Sequence, residues 1–298
     1  MAGSVAAGQL RVGYVEHGPA DGRTVILLHG FPYDAHAYDA VAPRLADAGC
    51  RVVVPWLRGY GPTRFLSADT LRSGEQAALG ADLLALMDAL RINRAVLAGY
   101  DWGGRAACIV SALWPERVTG LVSCEGYNIQ HIASANRPAP PTVELRLWYQ
   151  WYLHTARGAA GLAANRDAFC RLLWRLWSPD WAFDETTFAR SAAAFANPDF
   201  VDVVVHSYRH RYGLVSGDPA VAGIEARLAR RPRIAVPTVV LHGETDGVSP
   251  VAASAADAAH FGSAWRRETL PRIGHNVPQE APEAFAEAVL SLLRPTSV

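Results

Sequence analysis

The chain has no lysine: all 28 of its cationic side chains are arginine. Schiff-base chemistry, a pyridoxal phosphate linkage and a Walker A phosphate loop each need a lysine, so all three are excluded. It also lacks an excess of either charge, because 28 acidic residues balance the arginines. Nucleic acid and membrane surfaces call for a basic excess, so neither is an expected partner. No apolar run reaches the roughly 18 residues of a membrane span. The opening Met1 to Leu10 has neither the positive start nor the apolar stretch of a signal peptide. Cysteine is scarce, and Cys50, Cys108, Cys124 and Cys170 form no Cys-x-x-Cys pair. They read as buried free thiols of a cytoplasmic protein. No His/Asp/Glu spacing resembles a metal site, so neither a metal nor a cofactor is expected. Abundant alanine and arginine without lysine fit GC-rich coding and a bacterial source.

What the chain does have is length and apolar content. With 298 residues, half of them hydrophobic, it can bury a large core and exceeds the usual single-domain size. Short apolar runs recur at Val25 to Leu28, Val52 to Val54, Ala95 to Ala98, Leu121 to Cys124 and Thr238 to Leu241. Such runs of Val and Leu predict strands buried on both faces. Helical spacing lies between them, over Asp69 to Leu90, Gly103 to Leu113 and Pro282 to Leu293. This alternation predicts an α/β core with a mostly parallel central sheet flanked by helices. Leu10 to Glu16 alternates like an antiparallel edge hairpin. The rhythm stops after Glu125. From Thr142 to Tyr212 the pattern is helical only, near 142–156, 165–177, 184–196 and 198–212. Pro138, Pro140 and Pro141 mark the entrance, and Arg230, Arg231 and Pro232 the exit. The expected organisation is a core of residues 1–127 and 233–298, interrupted by an all-helical cap of residues 128–232. Five of the nine tryptophans (148, 151, 174, 177 and 181) fall in that cap, where they pack helices or wall a substrate pocket.

Gly99-Tyr100-Asp101-Trp102-Gly103-Gly104 follows a strand and opens a helix. This is the pattern of a nucleophile elbow, where glycines relieve a turn too tight for a Cβ. Asp101 holds the nucleophile position, and no Gly-x-Ser-x-Gly occurs anywhere. His29-Gly30-Phe31-Pro32 ends an earlier strand, at the place of an oxyanion loop. Gly243-Glu244-Thr245-Asp246 follows a late strand, at the place of an acid. Gly274-His275-Asn276 stands near the end, at the place of a base. Nucleophile, acid and histidine in that chain order match the α/β-hydrolase layout. A carboxylate nucleophile suits an sp3 carbon bearing a leaving group. Attack leaves an ester on Asp101, which water must then hydrolyse, so a base is needed for the second step. His275 is the expected base, oriented by Asp246. Glu125 is the rival acid, because it follows the strand after the elbow. Main-chain N–H groups of Phe31 and Trp102 are the expected oxyanion donors, worth roughly 3–4 kcal/mol each.

The chain resembles the α/β-hydrolase-fold enzymes, and among them the epoxide hydrolases most closely. The His-Gly-Phe-Pro loop, the Arg58-Gly59-Tyr60-Gly61 turn, the Asp-Trp-Gly-Gly elbow, the acid loop and Gly-His carry the resemblance over nearly the whole length. That family uses two cap tyrosines to protonate the epoxide oxygen. The resemblance assigns those roles to Tyr149, in Tyr149-Gln150-Trp151-Tyr152, and to Tyr208, in Ser207-Tyr208-Arg209, with Tyr152 as the substitute for the first. It implies a small apolar substrate and water as the partners, with room for a homodimer. Trp148, Trp151, Tyr152, Phe31 and Trp102 are the expected substrate-binding residues. His29 is expected to brace the oxyanion loop, and Arg209 and Arg211 to be ion-paired structure.

Two dehalogenase readings compete. Haloalkane dehalogenases share the Asp-Trp elbow, but many place Asn where Phe31 stands. Haloacid (fluoroacetate) dehalogenases hold a carboxylate with an arginine directly after the nucleophile, where Trp102 stands, and a second further on, which Arg105 matches. A non-catalytic small-molecule binder of the same fold would not need nucleophile, acid and base together.

Overall fold

The computed structural model describes residues 2–262 and 264–294. The expected core limits at Met1 and Val298 lie outside the described residues. Strands β1 (Ala2–Ala7) and β2 (Leu10–His17) form the antiparallel hairpin. They are followed by β3 (Arg23–Leu28), β4 (Cys50–Pro55), the short β5 (Arg64–Phe65), β6 (Ala95–Gly99) and β7 (Val118–Cys124). After a long helical interval come β8 (Thr238–Gly243) and β9 (Trp265–Leu270). All belong to one sheet in the order β1-β2-β4-β3-β6-β7-β8-β9, with β5 beside β2. Pairing involving β2 is antiparallel, and from β4 to β9 it is parallel throughout.

Each apolar run in the sequence became a parallel strand. Val25 to Leu28, Ala95 to Ala98 and Thr238 to Leu241 are buried on both faces, as a strand covered by helices on two sides must be. Strand β9 was not expected. Its sequence, Trp-Arg-Arg-Glu-Thr-Leu, alternates between exposed and half-buried positions because it closes the sheet's edge.

Helices α1 (Val41–Asp47), α2 (Gln76–Ala89) and α3 (Asp101–Leu113) follow the early strands. Helix α2 starts later than Asp69. The segment before it is a loop tied by Arg72, whose Nη1 donates to the carbonyls of Ser67, Ala68 and Thr70. Between β7 and β8 the described residues form no strand. They form α4 (Pro141–Arg146), α5 (Trp148–His154), α6 (Ala156–Ala164), α7 (Arg166–Trp177), α8 (Glu185–Phe195), α9 (Phe200–Arg211) and α10 (Ala222–Leu228). The expected first helix is thus divided at Leu147, and α6 is an addition. Helices α11 (Val251–Ala256), α12 (Val277–Glu280) and α13 (Pro282–Ser291) complete the chain's order.

The insert is joined to the core through aromatic side chains. Trp174 is fully buried, and its Nε1 donates to the Pro32 carbonyl at 2.7 Å, which satisfies the indole's only donor. Trp177 meets Phe31, Tyr149 and His275 with ring centroids 6.0, 5.1 and 5.1 Å away. The insert therefore sits over the loops that end β3 and follow β9. All four cysteines are buried and free. Among the described residues no helix is long and apolar enough to cross a membrane.

Candidate active site

Strand β6 ends in the turn that carries Asp101. Tyr100 is extended, and Asp101 then takes φ +48° in the first turn of α3. A left-handed non-glycine residue costs about 1–3 kcal/mol, so the surrounding chain must hold it in place. It is held by close approach. A Cβ on Gly103 would lie 2.0 Å from the Leu28 carbonyl oxygen, so only glycine lets α3 leave the strand at this angle. The Phe31 N–H donates to Asp101 Oδ1 at 2.8 Å, which brings the loop after β3 onto the carboxylate. The Trp102 N–H lies in the first helical turn, where main-chain donors have no intrahelical acceptor. His29 ties this loop to the one after β4: its Nδ1 faces the Gly30 carbonyl at 3.0 Å, and its Nε2 accepts from the Leu57 N–H at 3.0 Å. Burial pulls its imidazole down to about 4, so it stays neutral and can accept that bond.

His275 follows Gly274 in the loop between β9 and α12 and is buried. Its Nδ1 lies 2.9 Å from Asp246 Oδ2 and 3.4 Å from Glu125 Oε1. The sequence left two acids open, and both face the same ring nitrogen. Asp246, in the turn after β8, has the shorter contact and is itself fixed by the N–H groups of Val248 and Ser249, at 2.7 and 2.9 Å. Glu125 reaches the histidine through a left-handed backbone, φ +68°, directly after β7. The bond to Asp246 assigns the Nδ1 proton. It leaves Nε2, which has no partner among the described residues, as the free nitrogen. Burial alone would lower the imidazole's pKa; the Glu125 and Asp246 carboxylates outweigh it and raise it. Glu125 is pushed up in turn by burial and by the Asp246 and Asp101 charges, with His275 pulling the other way. Protonation of Glu125 and protonation of His275 are thus linked. Glu125, Asp246 and His275 also bring three ligand-capable atoms within 4.8 Å of one another. Nδ1 is committed to Asp246, however, so the cluster balances an imidazolium rather than framing an ion.

The insert closes the other side. Tyr149 on α5 and Tyr208 on α9 are both buried, their rings edge to face at 5.3 Å. The Phe31 ring lies 6.4 Å from the first and 5.5 Å from the second, so the loop after β3 reaches both. The Tyr149 hydroxyl accepts from Gln150 Nε2 at 2.9 Å, and Gln150 Oε1 accepts from the Tyr212 hydroxyl at 2.8 Å. With its oxygen lone pair used in this way, the Tyr149 proton is free to be donated. Burial pushes both phenols above their usual range, so they stay protonated at neutral pH.

A cavity of about 400 Å3 lies between these walls, within the ordinary range for a small-molecule site. Asp101, His275, Glu125 and Tyr149 line it. Phe31, Trp102 and Tyr208 do not reach its surface and stack behind it, Phe31 against Trp102 at 5.7 Å. Trp148, Trp151 and Tyr152, expected with Phe31 and Trp102 to bind substrate, do not line the cavity either. The buried stripe of α5 is Tyr149 and Leu153, one helical turn apart, and the other three fall off it. Trp148 and Tyr152 pack on Phe169, while Trp151 packs on His154 and Tyr212. Arg209 and Arg211 are also corrected. Among the described residues neither has an ion pair; Arg209 donates to the carbonyls of Leu153 and Thr155 instead. Gln150 and Tyr212 carried no signal in the sequence, because a side-chain relay on a helix face leaves no spacing motif.

Known proteins share this fold. The profile of the alpha/beta hydrolase fold matches residues 23–282. The crystal structure of a candidate epoxide hydrolase from Klebsiella pneumoniae superposes with a TM-score of 0.96 at 49% identity, covering 98% of this chain and 96% of that one. Epoxide hydrolase A of Mycobacterium tuberculosis is 25% identical over 95% of this chain and 94% of its own length. A haloalkane dehalogenase of Mycolicibacterium paratuberculosis is 26% identical over 95% and 87%.

Proposed function

The chain belongs to the alpha/beta hydrolase fold family, and from that premise we propose that it is an epoxide hydrolase working through a covalent ester on Asp101. The observation that carries this reading is a pair of buried, protonated phenols near Asp101: Tyr149 in the cavity wall and Tyr208 edge to face against it. An opened epoxide leaves as an alkoxide and needs a proton; a halide does not.

In the first step an Asp101 carboxylate oxygen attacks a ring carbon, the C–O bond breaks, and a phenol of Tyr149 or Tyr208 protonates the departing oxygen. In the second step His275 Nε2 takes a proton from water, whose oxygen attacks the ester carbonyl. The Phe31 and Trp102 N–H groups hold the tetrahedral oxyanion. Collapse releases the diol and restores the carboxylate, and the imidazolium returns a proton to the phenolate. Asp246 is the orienting acid and Glu125 a second counter-charge. Alkylation removes the Asp101 charge, one of the three that raise His275, so the imidazole becomes a better neutral base once the ester has formed. Residues 128–232 act as the cap over a core of 1–127 and 233–298. Four buried free thiols suit a reducing cytoplasm.

A dehalogenase is the second reading. Trp102 Nε1 is buried without an acceptor among the described residues, and such a donor can hold a halide. Phe31 offers no side-chain donor to share that task. Intact mass of His275→Ala after exposure to epoxides and to haloalkanes separates the two. A stalled adduct equal to a whole epoxide is the expected result. An adduct equal to an alkyl group without its halide would transfer the chain to the dehalogenases.

A further inference from the structure

The loop that carries His275 is held by two side chains that do not line the cavity, Glu280 and Ser178. Glu280 ends α12, and its carboxylate collects three donors. Oε2 accepts from the Gly274 N–H at 2.7 Å, and Oε1 from the Asn276 N–H at 3.0 Å and the Ser178 hydroxyl at 2.6 Å. Gly274 and Asn276 flank His275 in the chain, so the carboxylate spans the residue that carries the base. A carboxylate that merely capped α12 would need only the Asn276 N–H. This one reaches on to Gly274 and across to the insert. Burial raises the Glu280 carboxyl, while its hydrogen bonds and His275 pull the other way. Ser178 follows α7 in the insert and is buried. Its oxygen accepts from the His275 N–H at 3.1 Å while its proton goes to Glu280. The Trp177 carbonyl accepts from His275 as well, at 3.2 Å, and from the Gly247 N–H, next to Asp246, at 3.0 Å. Both turns fit closely. A Cβ on Gly247 would lie 2.0 Å from the Leu176 carbonyl oxygen, and one on Gly274 would lie 2.7 Å from Ser178 Oγ. The segment from Leu176 to Ser178 is thus wedged against the acid turn and the base turn together.

We propose that Glu280 and Ser178 are positioning residues for the second half-reaction: they lock the His275 loop to the insert, so that Nδ1 stays on Asp246 and Nε2 stays open to the hydrolytic water. This rests on the ester reading and extends it. The insert then governs both steps, the first through its tyrosines and the second through this clamp. The bond to Asp246 orients the imidazole only while the main chain of His275 is fixed, and a base displaced by about 1 Å can lose 100-fold in rate. Alkylation depends on Asp101 and the phenols, which other contacts hold, among them the Phe31 N–H and the Gln150 amide. Glu280→Gln replaces one carboxylate oxygen with an amide nitrogen. That nitrogen would face a main-chain N–H, so a donor beside His275 loses its acceptor. Ser178→Ala keeps the Cβ that packs on Gly274 and removes only the hydroxyl that joins insert to loop.

Rapid-quench single turnovers of styrene oxide by the full chain separate ester formation from ester decay. Glu280→Gln should slow decay about 30-fold and Ser178→Ala about fivefold. Formation should change less than about twofold in either, so the ester accumulates. Decay unchanged in both variants, or both steps slowed alike, would overturn the clamp and leave the ester reading standing. Ser178→Ala decides the matter if Glu280→Gln fails to fold. A second readout needs no substrate. The downfield NMR signal of the His275 Nδ1 proton, identified by its loss in His275→Gln, reports the bond to Asp246 in the resting enzyme. It should move upfield and exchange faster with water in both variants. A signal unmoved in both folded variants would overturn the clamp. A moved signal with no ester formed from any epoxide would uphold the hold on His275 and reject the ester chemistry.

Discussion

On the core side of the cavity, Asp101 is held by a left-handed turn, by a neighbour that tolerates no Cβ at Gly103, and by the Phe31 N–H. On the insert side, Tyr149 is held by the amide of Gln150, and Tyr208 by ring contacts with Phe31, Trp102 and Tyr149. The first wall is a matter of main-chain geometry, the second of which helix face turns inward. Main-chain constraints have few solutions and tolerate no substitution. Helix faces can be repacked, so the insert is the wall through which substrate range can change while the reaction stays the same.

The largest expected contrast is in stability. Gly103→Ala would drive a Cβ to 2.0 Å from a carbonyl oxygen that cannot move without the sheet. It should cost more than about 4 kcal/mol or prevent folding, whereas Trp148→Phe in the insert should cost less than about 1.5 kcal/mol. Urea midpoints of the two variants check this, and similar losses would erase the distinction. Next comes chemistry. Tyr208→Phe should slow alkylation by an epoxide about 100-fold with the fold intact. Rapid-quench measurement of ester formation reads it directly. Unchanged rates in Tyr208→Phe, Tyr149→Phe and the double variant would reduce both phenols to packing.

Glu125→Gln should shift pH dependence rather than abolish turnover. The glutamate carboxylate raises His275, so its removal lowers the imidazole pKa. Ester hydrolysis needs the neutral base, and its rising limb should therefore move to lower pH. Decay of the ester followed across pH checks the sign; a limb moved upward would mean that Glu125 is not a counter-charge. The smallest effect belongs to the relay. Gln150→Leu removes one hydrogen bond to the Tyr149 oxygen and should lower turnover on the order of fivefold. An effect on stability alone would make Gln150 a packing residue.

The same contrast explains what could be read in advance. The core strands were legible because a strand buried on both faces is a continuous apolar run, as at Val25 to Leu28. The turns that carry Asp101, Phe31, Asp246 and His275 were legible because tight turns demand glycine at fixed offsets. Strand β9 was not, since an edge strand alternates polar and apolar residues and ends the sheet without a signature. Helix α6 was missed because it is rich in alanine and glycine. Its Gly158 is there for contact: a Cβ would lie 1.7 Å from the Tyr152 carbonyl oxygen. The tryptophan count marked the insert as aromatic but did not say which faces turn inward, so Trp148, Trp151 and Tyr152 were assigned to a cavity they do not line. Arg211 read as half of an ion pair, because a sequence does not show that the partner is missing.

The central claim is that Asp101 itself carries the oxygen to product in the first turnover. A single turnover in H2 18O, with enzyme in excess over an epoxide, tests it directly. The mechanism requires a first diol that is unlabelled, with 18O appearing at the Asp101 carboxylate by peptide mass spectrometry. Label in that first diol, with Asp101 unlabelled, would mean that water attacks the ring directly and that no ester forms.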